Sequence, residues 1–155
     1  MKVETAISRI RAAGHDISEE YSTERCIEFL NTAIQQTASL LISAQYPPLV
    51  KETLIREGDK LPLNYMKCAG TYPLRMTDGQ AVLLNEDDEY VKFRYWATPD
   101  LIDEDTETLP YTNDAINEVI VRCAVILALN ENEYDVTTDN SILSSLQNAI
   151  AAAMA

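Results

Sequence analysis

The chain has 155 residues, enough for one domain with a sizeable core, and its hydrophobic fraction of 46% excludes wholesale disorder. Twelve Lys plus Arg stand against 25 Asp plus Glu, a net charge of −13. Such a surface repels phosphate backbones and excludes broad nucleic-acid affinity, which depends on basic side chains displacing counterions.

In chain order, the opening Met1-Lys2-Val3-Glu4-Thr5 lacks the apolar core of a signal peptide. A first helix is predicted over 3–13, with Val3, Ala6, Ile7, Ile10 and Ala13 on one face and Gly14 as its stop. A second is predicted over 22–45. Ser22 is its cap, Glu24 favours its first turn, and Cys26, Ile27, Leu30, Ala33, Ile34, Thr37, Ala38 and Leu41 form a buried stripe. Tyr46-Pro47-Pro48 ends it, because proline there cannot continue a helix.

Between about 49 and 97 the pattern changes to strands. Gly58-Asp59 divides 51–56 from 60–63, and Asp78-Gly79 divides 72–76 from 80–84, the latter a strong hairpin signal. The acidic tip Asn85-Glu86-Asp87-Asp88-Glu89 leads into a strand over 90–97. There Val91, Phe93 and Tyr95 alternate with Lys92 and Arg94, the pattern of an antiparallel sheet with one buried and one wet face.

A solvated link carrying Asp103-Glu104-Asp105 precedes a third helix over 113–129, capped at Thr112 or Asn113 and apolar at Ala115, Ile116, Val119, Ile120, Cys123, Ala124 and Leu127. A fourth helix over 139–153 has Ile142, Leu143, Leu146, Ala149 and Ile150 in register. Its small, apolar end suits either fraying or docking on a partner. The expected fold is α+β: a single domain over 1–155, built as a bundle of about four helices with an antiparallel β region inserted between the second and third long helices.

The sequence carries no phosphate-binding glycine motif, no H-E-x-x-H and no EF-hand pattern. Three cysteines (Cys26, Cys68, Cys123) without a CxxC pair and a single histidine, His15, exclude a conventional Cys/His zinc site and a secreted disulfide framework. A catalytic triad would have to recruit His15, which reads better as a polar residue after a helix end. The carboxylate runs read as solvated turns rather than acid–base pairs or ion sites. Aromatics at Tyr90, Phe93, Tyr95 and Trp96 resemble a base-stacking platform, but only Lys92 and Arg94 accompany them, so core packing with one outward Trp is the better reading. No catalytic residue, cofactor or metal is expected. The apolar run 120–129 contains Arg122 and is too short to span a bilayer, so the chain reads as a soluble protein of a reducing cytoplasm. Exposed Trp beside Arg is a common interface anchor, which makes Arg94 and Trp96 candidate partner contacts, with Ile150 and Met154 of the tail beside them.

The order of these pieces resembles the head-to-tail adaptor, or connector, proteins of tailed bacteriophages. The motifs are Thr5-Ala6-Ile7-Ser8-Arg9-Ile10-Arg11, then Tyr21-Ser22-Thr23-Glu24 opening a helix with Leu30-Asn31-Thr32-Ala33, then Val91-Lys92-Phe93-Arg94-Tyr95-Trp96-Ala97-Thr98-Pro99. Leu109-Pro110 follows, before a helix with Asp114 near its start and Arg122 in its apolar middle. The segment Leu61-Pro62-Leu63-Asn64-Tyr65 departs from the family's usual acidic pattern, and the third helix carries less outer charge than is usual. The resemblance implies a structural virion protein, not an enzyme. It implies a ring of about a dozen copies, a dodecamer, beneath the portal protein, synthesised in the host cytoplasm and placed in the neck between capsid and tail. Such a ring extends the DNA channel, lets DNA pass without specific binding and docks the next neck or tail protein. Without the resemblance, the charge also fits an acidic inhibitor or DNA mimic acting as a monomer or dimer.

Overall fold

Helices form where apolar residues recur at three-four spacing, and strands where they alternate. The computed structural model describes residues 1–13, 21–131 and 133–154, the side chain of Met154 excepted. Gly14, His15 and Asp16 lie outside the described residues. The described residues carry α1 (Val3–Ala13), α2 (Thr23–Ser43), β1 (Val50–Ile55), β2 (Tyr65–Cys68), β3 (Leu74–Thr77), β4 (Gln80–Leu83), β5 (Val91–Ala97), α3 (Asp114–Leu129) and α4 (Asn140–Met154). The fold is α+β, with its antiparallel strands between α2 and α3. Where the sequence suggests one domain over 1–155, the chain divides into two compact units: a helical unit of Met1–Gln45 with Pro99–Ala155, and a β unit of Tyr46–Thr98.

In the helical unit, α3 packs against α1, α2 and α4. It is the most apolar helix, and Ile116, Ile120, Cys123, Ala124 and Leu127 are fully buried. Ser22 caps α2 by accepting from the Arg25 amide, and Asn113 caps α3 by accepting from the amides of Ala115 and Ile116. At α4 the Asp139 carboxylate accepts from the amides of Ser141 and Ile142. α2 stops two residues short of the expected 45. Gln45 takes the left-handed conformation (φ 58°), which closes the helix before Pro47. Two polar residues are buried. Thr37 donates to the Ala33 carbonyl at 2.7 Å, and Asn117 donates to the Tyr111 carbonyl at 2.7 Å, while its Oδ1 has no hydrogen-bond partner among the described residues.

In the β unit the sheet order is β1-β5-β2, all antiparallel, beside a separate β3–β4 hairpin. The hairpin turns at Asp78-Gly79, both at positive φ (51° and 77°), as a two-residue turn matched to strand twist requires. The buried cluster is Ile55, Ala81, Phe93, Tyr95 and Ala97, flanked by Leu61, Tyr65, Tyr72 and Leu74. The Gly58-Asp59 turn joins the hairpin to this cluster: Gly58 N–H donates to Ala81 O at 2.8 Å, and Ala81 N–H donates to Asp59 O at 2.7 Å. The strand expected at 60–63 is not formed. Pro62 lacks a ladder donor, and its carbonyl instead accepts from the Tyr65 amide, which opens β2.

Candidate interaction surface

The alternation along β5 sets up two faces. Val91, Phe93, Tyr95 and Ala97 are buried, Lys92 and Arg94 are exposed, and Trp96 is half-buried. Registration carries the outer face across the sheet: Leu54 lies opposite Lys92, Glu52 opposite Arg94, and Val50 opposite Trp96 on β1, while Lys67 of β2 lies opposite Trp96 on the other side. Arg94 and Trp96, anticipated from the sequence, therefore share one face. Lys67 joins them through a strand the sequence did not reveal. The face holds three bases and one acid, with Leu54 41% exposed among them. None of these charged side chains is in an ion pair among the described residues. The pairs there are Arg9–Glu118 at 2.7 Å and the Met1 amine with Asp114 at 2.8 Å, both in the helical unit.

The tail residues fare differently. Ile150 is buried (9% exposed) on the same stripe of α4 as Ile142, Leu146 and Ala149. Within this chain it leaves little of its surface open to a partner. The side chain of Met154 lies outside the described residues.

The acidic turns are organised by their own hydrogen bonds. The Asp103 carboxylate accepts from the Asp105 amide at 2.9 Å and from the Thr106 hydroxyl at 3.0 Å, and Asn85 donates to Asp88 at 3.3 Å. Among the described residues no group of three or more His, Cys, Asp or Glu is placed to hold a metal ion, and no helix is long and apolar enough to cross a membrane. Burial pushes the Cys123 thiol up to about 12, so it stays protonated and unreactive at neutral pH. Cys68 is exposed, with its sulfur 3.2 Å from the Tyr65 hydroxyl. That hydrogen bond, followed by burial, raises the tyrosine above its ordinary value.

The residues that suggested a resemblance act as structural joints. Arg9 pairs with Glu118, and the Arg11 guanidinium donates to the Tyr21 carbonyl at 3.0 Å. Asn31 grips the link at Ile102 from both sides, donating to its carbonyl at 2.9 Å and accepting from its amide at 2.8 Å. Arg122 ties α3 to α4 by donating to the Ser145 hydroxyl at 2.6 Å. Asp114 anchors the Met1 amine, and the backbone of Met1 and Val3 is stitched to Leu109 and Glu107. A polar Asn on a mostly apolar stretch was the available signal for the Asn31 joint. The amine–Asp114 joint had none. Against known proteins, the chain matches no protein-family model and no curated protein.

Proposed function

We propose that the chain is a structural, ring-forming head-to-tail adaptor of a tailed bacteriophage. It binds the portal protein in the virion neck, extends the DNA channel and docks the next neck or tail protein. The observation that carries this reading is the order of elements: a helical unit interrupted, between α2 and α3, by an inserted antiparallel β unit. Support also comes from the motif residues, since Arg9, Ser22, Asn31, Asp114 and Arg122 each hold a cap or an inter-segment joint in the helical unit.

The charge distribution supports the same reading. Only eight of the 25 Asp and Glu lie in Tyr46–Thr98, against seven of the 12 Lys and Arg, which leaves the helical unit at −12. A channel bordered by such carboxylates repels passing DNA and keeps it from sticking. The chemistry this function requires is shape and charge, not catalysis.

The test is to count this chain against the portal protein by quantitative mass spectrometry of purified particles from its source. Near-equal abundance, about one copy per portal subunit, is expected for a ring matched to the portal. Absence from the particle overturns the adaptor and leaves the acidic inhibitor, a reading favoured only by the concentration of charge on the helical unit.

A further inference from the structure

The outer face of the β1-β5-β2 sheet carries a charge opposite to the net charge of the chain. Lys67, Lys92 and Arg94 lie on it around Trp96 and Leu54, with Glu52 the single acid, and none is engaged in an ion pair among the described residues. The helical unit carries −12. A basic face rimming a half-buried Trp and an exposed Leu has the composition of an interface: an aromatic and an Arg at the centre, charge around them. Nucleic acid would meet the bases here but also Glu52 and the strongly negative helical unit attached to them. An acidic protein surface meets complementary charge and an apolar centre together.

We infer that this sheet face docks on the acidic helical unit of a second copy of the chain. The contact is heterologous: the donor face and the acceptor surface are different, so each bound copy still offers one of each. Repeated with a rotation that closes, such a contact makes a ring. In that respect the inference rests on the ring-forming reading, while the contact itself is tested without any virus particle.

Trp96 is the only tryptophan in the chain, so it reports docking without a label. The test mixes dilute wild-type chain with an excess of Lys92→Glu/Arg94→Glu/Trp96→Phe chain, which emits no tryptophan signal and has lost the basic face but keeps the acceptor. The expected result is a blue shift of the wild-type emission as excess is added, weakened by salt as a charge-steered contact requires. In sedimentation, the wild type self-associates with rising concentration, and Lys92→Glu/Arg94→Glu does so about tenfold more weakly or not at all. Since both substituted bases are exposed, unchanged circular dichroism and melting show that the variant is folded. No blue shift with excess chain at millimolar concentration overturns the inference, as does self-association indifferent to the two substitutions. A shift on adding an oligonucleotide but not excess chain overturns it in favour of nucleic acid. If the inference fails while the chain is found at portal abundance in particles, the adaptor reading stands and only this contact is lost.

Discussion

The helical unit covers its apolar residues and leaves its carboxylates in water, whereas the β unit leaves apolar residues and bases in water together. Among the described residues, Leu54, Leu63, Met66, Met76, Leu84 and Tyr90 are large exposed hydrophobics of the β unit, against Leu101 and Leu129 in the helical unit. Size explains part of the difference. A unit of roughly fifty residues buries a smaller fraction of its surface than a larger one, and a three-stranded sheet with one covered face leaves the other bare. Charge is divided as well, close to neutral in the β unit and −12 in the helical unit. One unit thus exposes mainly acidic side chains, and the other exposes large apolar side chains beside bases.

That contrast can be broken most forcefully from the two cores. Phe93 is 1% exposed, stacks with Tyr65 and Tyr95 and meets Tyr72 edge-on. Phe93→Ala is expected to cost about 3–5 kcal/mol. Ile120→Ala in α3, where the side chain is fully buried, is expected to cost about 2–5 kcal/mol. In urea, Trp96 emission follows the β unit and helical circular dichroism the other. The contrast is sharpened if each substitution moves the signal of its own unit first, and it breaks if both signals move together.

Asn31→Ala is expected to cost about 1–3 kcal/mol, because the Ile102 amide and carbonyl both lose their partner. Hydrogen exchange at Ile102 checks this: protected in the wild type, fast in the variant, with amides of the β unit unmoved. Ser22→Ala, which removes the acceptor for the Arg25 amide, should cost about 1 kcal/mol by thermal melting.

The smallest effect is the pH dependence. Asp114 is held below the ordinary carboxylate range by the hydrogen bond from the Met1 amine and then by that from Asn117. A carboxyl lowered in the fold adds stability above its unfolded-state value of about 4 and loses it as pH falls through the lowered value. Wild type should therefore melt above Asp114→Asn at neutral pH, and the gap should close on acidification. A gap that persists in acid would show that Asp114 acts through packing. Asp135 and Asp139 are lowered in the same direction, Asp135 by hydrogen bonds from Thr137 and Asp139 first by the Tyr134 hydroxyl, and both belong to the helical unit.

How much of this was legible in the sequence followed local physics. The helices carried their own caps at Ser22 and Asn113 and their own stripes, and β5 and the Asp78-Gly79 turn carried period and turn chemistry. β2 was hidden because its pairing shifts between Tyr65 and Lys67. Tyr65 and Cys68, three positions apart, then lie opposite Ala97 and Tyr95, inward residues of β5 two positions apart, and no alternation survives. With it went Lys67, a third of the basic face. The face itself was readable at Arg94 and Trp96 from alternation alone. Ile150 gives two signals: the string of alanines around it resembles a free tail, while its register with Ile142 and Leu146 puts it on the buried stripe. The division into two units rests on contacts between distant segments, which no local pattern encodes.

The helical unit is assembled from both sides of its insert, and this has a consequence for synthesis. α1 and α2 leave the ribosome before the segment that buries them exists. With roughly seventy residues between the end of α2 and the start of α3, made at about 5–20 residues per second, the stripe of α2 waits for α3 for about 4–14 s. Microseconds suffice for a hairpin to close, so β3–β4 forms within that interval. The nascent chain therefore passes through a stage with its sheet pairing while its longest amphipathic helix, in contact with α1, still lacks α3, the stage at which a chaperone that grips apolar helices has the most to hold.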